Sequence, residues 1–216
     1  MRTTIHFEGL PGSGKTTASE RFCRLLKSNG IEASWWLEEA SNHTIMPKEA
    51  RCALSREHHY PQICLDSWLT FLKSSNSTVV LDGYAFQSTV RFLYANRIAR
   101  TQIEDYFNRW QELAPETTLV YFSVENPSEH YDVISAERGD EWSRKLYSYV
   151  ERSPIGVANG YQGRMGFIEF WSEYQQLCHE LLDAAYVPVH LIGSRSWKDD
   201  DLKGLAAQLG LLPEWL

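Results

Sequence analysis

Cysteine is scarce: four in 216 residues, Cys23, Cys52, Cys64 and Cys178, none spaced as Cys-x-x-Cys. That argues against a thiolate zinc knuckle or a dithiol redox motif and leaves free, buried thiols in a reducing compartment as the expectation. His58-His59 has no further ligands at metal spacing, so no zinc centre is expected there. Long apolar runs are missing as well. No stretch approaches the ~20 residues a membrane span takes, and Glu8 with the glycines after it interrupts any apolar leader. Positive charge is in deficit, with 21 Lys and Arg against 28 Asp and Glu, a formal charge of −7. Proteins that track a phosphodiester backbone do so with an excess of Lys and Arg, so nucleic acid is not expected as a partner, although a local basic pocket for one nucleotide is compatible with the count. No repeat, low-complexity tract or linker divides the chain. The reading is a soluble, cytoplasmic protein of one domain, residues 1–216, with no membrane partner.

What is present is a globular composition, 43% hydrophobic and 13% aromatic. Thr3 to Glu8 is a short β-branched and aromatic run ended by glycine, the first strand. Lys15 to Ser28 carries Ala18, Phe22, Leu25 and Leu26 at helical spacing, with Asn29-Gly30 as the stop. Ala33 to Leu37 is a second strand. The continuous apolar runs Thr78 to Gly83 and Thr118 to Val124 read as strands buried on both faces of a parallel sheet. Tyr186 to Gly193 is a fifth, and Pro188 places it at an edge. Helices are predicted over 48–57, 61–72, 86–100, 102–113, 128–137, 141–149 and 199–209. Another follows 166, with Phe167, Phe170, Tyr174, Leu177 and Leu181 on one face. The glycine-rich stretch 153–166 reads as a loop. Five strands alternating with helices predict a three-layer α/β domain with a parallel sheet.

Between the first strand and the first helix lies Gly9-Leu10-Pro11-Gly12-Ser13-Gly14-Lys15-Thr16, which fits G-x-x-x-x-G-K-[ST]. Glycines allow successive amides to turn inward around one anion. The helix that follows aims its positive end at the same point. Lys15 can bridge the β- and γ-phosphates of a nucleoside triphosphate, and the Thr16 hydroxyl can ligate Mg²⁺. A glycine-rich turn with an incidental lysine is the alternative, and the strand–loop–helix context counts against it. Asp82 closes an apolar strand, where open α/β sheets bind ligands. It can order Mg²⁺ or take a proton from an acceptor, or simply form an Asp-Gly turn.

The pattern resembles the P-loop kinases of the thymidylate kinase and deoxynucleoside kinase group. "EGLPGSGKTT" looks like their opening. "VVLDGYAFQSTV" is similar to their Asp-Arg-Tyr segment, "ISAERGDEW" to their lid, and "VHLIGSRS" to their adenine-side loop. The resemblance implies the P-loop NTPase fold with strand order 2-3-1-4-5 and a helical lid over about 136–166. It implies ATP and Mg²⁺ as cofactors, held by Gly9, Pro11, Gly12, Ser13, Gly14, Lys15, Thr16, Thr17, Arg138 and Arg195, with Thr16 and Asp82 on the metal. It implies a catalytic set of Lys15, Asp82 and Arg138, together with Glu38 or Glu39 as the base that accepts the acceptor's proton. Which of Glu38, Glu39 and Asp82 is the base stays open. Gly83 stands where the family has arginine, which favours a neutral hydroxyl acceptor over a nucleoside monophosphate.

Other residues carry less. Arg144, Arg152 and Arg164 accompany Arg138 in the lid segment, where scattered arginines otherwise form a solvated face. Gln87 and Arg91 share one helix face near the acceptor. Trp35, Trp36, Tyr60, Trp68, Tyr84, Phe86 and Trp142 would wall an acceptor pocket or, for most of them, pack the core. The function expected is an ATP-dependent phosphotransferase acting on a small molecule, nucleoside-like or a natural product, with a homodimer left open. A P-loop ATPase or a nucleotide-dependent switch on a protein partner is the rival reading. The paired acidic strand end of a hydrolytic motor and the Asn-Lys-x-Asp of a GTP switch are both missing. Intact Lys15, Thr16 and Asp82 argue against an inactive nucleotide-binding module.

Overall fold

The computed structural model describes residues 3–37, 45 and 60–213. The predicted helix over 48–57, Cys52, His58-His59, Glu38 and Glu39 lie outside them. Five parallel strands form one sheet: β1 (Thr4–Gly9), β2 (Ala33–Leu37), β3 (Thr78–Asp82), β4 (Thr117–Ser123) and β5 (Val189–Gly193). Their order is β2-β3-β1-β4-β5, as expected. The central strand is buried at every position, with Thr4 paired to Val79 on one side and to Thr117 on the other. β5 is an edge strand. The Pro188 carbonyl just before it accepts from the Leu119 amide (2.9 Å), and the missing proline N–H is not needed on an outer rim.

Side chains alternate across the sheet and so build two cores. On one face Ile5, Phe7, Val80, Val120 and Phe122 pack against α1 (Lys15–Ser28) and α9 (Asp199–Gln208). On the other, Val79, Leu81, Leu119 and Tyr121 meet α2 (Tyr60–Ser74), α4 (Arg100–Leu113) and α8 (Gly163–Asp183). The five apolar residues marked after position 166 all lie on α8 and are buried. The chain visits β2 and β3 on one side of β1 before crossing to β4 and β5 on the other. This leaves a crevice at the carboxyl ends of the strands, beside β1.

Two sequence expectations are corrected. The single helix over 86–100 is two helical pieces, a π-helical turn Tyr84–Val90 and the short α3 (Arg91–Ala95), followed by a break before α4 begins at Arg100. Arg97 has φ 56°, in the turn that ends α3, which apolar periodicity alone does not reveal. The loop over 153–166 holds α7 (Pro154–Asn159), because the Ser153 side chain caps the Gly156 amide and Pro154 presets the first turn. Gly160, at φ 69°, ends it. Before it, α5 (Pro127–Arg138) and α6 (Asp140–Arg152) meet at Gly139, which has φ 81° and open space where a Cβ would stand.

Candidate active site

The glycine loop takes dihedrals that its glycines make possible, and the Ser13 amide closes it by donating to Leu10 O (3.2 Å). Gly12 and Gly14 hold φ of 75° and 98°, conformations that a Cβ makes strained. The loop's carbonyls are engaged from outside. Pro11 O accepts from His130 Nε2 of α5 (3.0 Å), Gly12 O from Arg195 Nε (3.4 Å), and Ser13 O from Ser194 Oγ (3.2 Å) and the Arg195 amide (3.3 Å). With the oxygens turned away, the amides of Lys15, Thr16 and Thr17 open α1 with no carbonyl one turn behind them. The positive end of α1 and the Lys15 ammonium point to the same place.

His130 can make its bond only with the proton on Nε2, because a carbonyl accepts and never donates. Burial, the largest influence, lowers its pKa, so at neutral pH it is the neutral donor tautomer. Arg195 is one of two described non-glycine residues with positive φ (62°), and its guanidinium also pairs with Glu137 Oε2 at 2.8 Å. Backbone strain of this kind persists where the surroundings enforce it, often beside ligands.

Asp82, the last residue of β3, meets the loop although 66 positions separate it from Thr16. The Thr16 hydroxyl donates to Asp82 Oδ2 at 2.7 Å, and Lys15 Nζ lies 3.9 Å from Oδ1. A hydroxyl and a carboxylate in contact form a hard-oxygen pair of the kind Mg²⁺ takes together with phosphate oxygens. The residues fit that ion, and the glycine loop fits the phosphates.

These groups line one cavity of about 760 Å³. Pro11, Gly12, Gly14, Lys15, Thr16 and Thr17 form its floor, and Leu37, Asp82 and Gln87 stand at the β2/β3 end. Arg138 and Arg195 stand at the other, so the two arginines and the loop converge although the sequence holds them far apart. Arg138 also lies over the Trp142 ring (5.3 Å), which stacks on Tyr131. Gly9 and Ser13 sit behind the cavity wall. A Cβ at Gly9 would come within 2.8 Å of Phe122 O, and Ser13 is fully buried. Arg144, Arg152 and Arg164 do not line the cavity. Arg164 binds Asp132 (2.8 Å) and covers Tyr131, a surface role. Tyr60, Trp68, Tyr84 and Phe86 are core residues. Arg91 donates to Gln87 O (2.8 Å) and stacks over Tyr149, away from the lining.

Sequence reasoning missed several participants. Glu8, wholly buried in β1, accepts from the Ala85 amide (2.5 Å) and the Gln87 amide (3.3 Å), pinning the π-helical turn that follows Asp82. π-turns cluster at functional sites. His6, one face-step before Glu8, lies edge-on to Trp68 and Trp110, and burial pushes it down to about 3, so it is neutral. Arg21, Glu137, Trp197, Lys198 and Asp199 complete the cavity. Only Trp197 could have drawn notice, as a large aromatic two residues after the predicted adenine-side arginine.

The architecture is a five-stranded parallel sheet in the order β2-β3-β1-β4-β5, flanked by helices, with a glycine-rich turn after its central strand. Solved structures bear this out. A thymidylate kinase from Ehrlichia chaffeensis superposes with TM-score 0.55 at 15% identity, covering 96% of this chain and 96% of that one. The YorR protein of Bacillus subtilis, in complex with phosphorylated GDP, superposes with TM-score 0.54 at 15% identity, covering 97% and 96%. At such identity the likeness speaks for the fold. No protein-family model and no curated protein matches the chain. Among the described residues, no helix is long and apolar enough to cross a membrane.

Proposed function

We propose that the protein is an ATP-dependent small-molecule kinase, transferring the γ-phosphate of Mg·ATP to a hydroxyl of a nucleoside-like or natural-product acceptor. The observation that carries this reading is the approach of Lys15 and Thr16 to Asp82 at the glycine-rich loop, in one cavity with Arg138 and Arg195. Phosphoryl transfer asks mainly for positioning and for charge placed where the transferred group spreads its own. The loop amides and Lys15 hold the triphosphate tail, and the two arginines meet its developing charge. When bound, Mg²⁺ neutralises phosphate oxygens, and Thr16 and Asp82 are the residues that would hold it.

The acceptor lies at the β2/β3 end, beside Leu37 and Gln87. Asp82 is occupied by Thr16 and Lys15, which favours Glu38 or Glu39, the residues directly after Leu37, as the proton acceptor. Gly83 has φ 76° and begins the π-helical turn, a conformation that disfavours the arginine of nucleotide kinases. A neutral hydroxyl therefore ranks above a phosphate as acceptor. Residues Arg138 to Gly166 close over the bound pair about Gly139 and exclude water that would otherwise take the phosphate.

The test is a screen of hydroxyl compounds for ATP consumption, with mass spectrometry for an added phosphate, alongside radiolabelled ATP binding to the parent and to Lys15→Ala. The expected result is a phosphorylated product from the parent and a loss of about 100-fold or more in turnover for Lys15→Ala. A variant that binds and turns over ATP like the parent refutes the reading.

A further inference from the structure

A second cavity, of about 570 Å³, opens where the end of α3 and the start of α4 meet α7 and the middle of α8. It shares no residue with the cavity at the glycine loop. Its floor is apolar: Ile98, Ile103, Ile155 and Leu177, with the Tyr94 ring beside them, all packed on the core of that face of the sheet. The volume suits a small molecule, and an apolar floor with a few placed polar groups is how such sites are built.

The rim carries two acids and two bases, and three of the four are already engaged. The Tyr94 hydroxyl donates to Glu173. Glu180 accepts from Gln176 (2.8 Å) and from Arg100, which also donates to Glu104 (2.6 Å). Arg97 is different. Among the described residues its guanidinium has no acceptor, no carboxylate and no aromatic face.

The backbone holds Arg97 at a cost. The Ile98 amide donates to Leu93 O (3.1 Å) and the Arg97 amide to Tyr94 O (3.0 Å), the pair of bonds that closes a helix with a left-handed residue, ordinarily glycine, after its C-cap. Here that residue is arginine at φ 56°, where glycine would be unstrained. Strain of this kind is kept where the side chain is used, and this one ends on a cavity with its charge unspent.

We propose that this groove binds a small amphipathic monoanion, an alkyl or aryl body lying on Ile98, Ile103, Ile155 and Leu177 with one carboxylate held by the Arg97 guanidinium. A planar fork of donors matches a carboxylate with two parallel bonds. Glu173 and Glu180 stand on the same rim, so a doubly charged phosphate head meets repulsion that a single negative charge largely escapes. The site is independent of what the glycine-loop cavity takes.

The probes are hexanoate, octanoate and decanoate, with 1-octanol as the uncharged counterpart and octyl phosphate as the doubly charged one. Each is titrated by calorimetry into the parent, Arg97→Gln, Arg97→Gly and Lys15→Ala. The expected result is affinity that rises about fourfold for each methylene added, with 1-octanol and octyl phosphate about tenfold weaker than octanoate. Both Arg97 variants bind octanoate no better than the parent binds 1-octanol. Arg97→Gly nevertheless melts roughly 2–4 °C higher than the parent, because glycine relieves the strained φ, so its lost affinity is not lost folding. Lys15→Ala binds octanoate as the parent does, which separates this site from the kinase reading. Equal octanoate affinity in the parent and the Arg97 variants overturns the inference, as does a parent that binds none of the carboxylates. Sedimentation that shows a dimer dissociated by Arg97→Glu also overturns it, since a second copy then covers the groove.

Discussion

The glycine loop is braced from below by α5, and that brace can be measured. A Cβ on Gly12 would stand 2.5 Å from Ile134 Cγ1 and closer still to Cδ1, and Ile134 is fully buried. Gly12→Ala therefore carries two penalties. Holding an L-residue at φ 75° costs about 1–2 kcal/mol. Forcing the methyl into a packed side chain costs about 1–3 kcal/mol more, so the single change should destabilise by about 2–5 kcal/mol. Ile134→Ala alone loses about 2–5 kcal/mol through the space it leaves. In the double variant the new methyl enters that space, and only the steric part of the first penalty is relieved, because backbone strain does not depend on Ile134. The double-mutant cycle should then show a favourable coupling of about 1–3 kcal/mol. Urea unfolding of all four proteins measures it, with unchanged m-values as the check that the unfolded state is comparable. Additivity within about 0.5 kcal/mol would show that Gly12 does not face α5 and would remove the argument that this helix holds the loop.

Two more outcomes follow from burial. His6 is held down to about 3 in the fold against 6.5 in the open chain, so between those values the unfolded chain binds the extra proton. Stability is therefore complete above about pH 6.5 and declines by about 1.4 kcal/mol per pH unit as the pH falls toward about 3. Unfolding free energies for the parent and His6→Leu across that window should differ in slope by this amount, and parallel curves would mean that His6 is not the group responsible. In α7, a Cβ on Gly156 would enter the Val150 carbonyl, 2.8 Å from its carbon and nearer its oxygen. Backbone cannot swing aside as a side chain does, so Gly156→Ala should lower stability by about 3 kcal/mol or more, a drop in melting temperature of roughly 6–12 °C. A change under 1 kcal/mol would contradict the close approach of α7 to the end of α6.

Much of the architecture was legible residue by residue. The apolar runs Thr78 to Gly83 and Thr118 to Val124 read as strands buried on both faces, with no polar alternation to confuse them, and the strands are Thr78–Asp82 and Thr117–Ser123. The glycine loop was legible because its chemistry is local: three glycines, a lysine and a threonine lie within a few residues of the anion they would serve. The break at Arg97 and the helix after Ser153 were not legible. Periodicity reports which face is buried, whereas turns and caps depend on one or two dihedrals and hydrogen bonds.

Local pattern carries the alternation of strands and helices and the position of the glycine-rich turn, since side-chain spacing and glycine dihedrals act over a few residues. Packing of the whole chain brings Asp82 to Thr16, sets Glu8 against the Gln87 amide, carries Arg138 and Arg195 but not Arg164 to the cavity, and lays Trp197 beside Gly14. Each of these joins segments tens of residues apart, and their distance is set by the parallel sheet order and by packing on both faces, which no local pattern encodes.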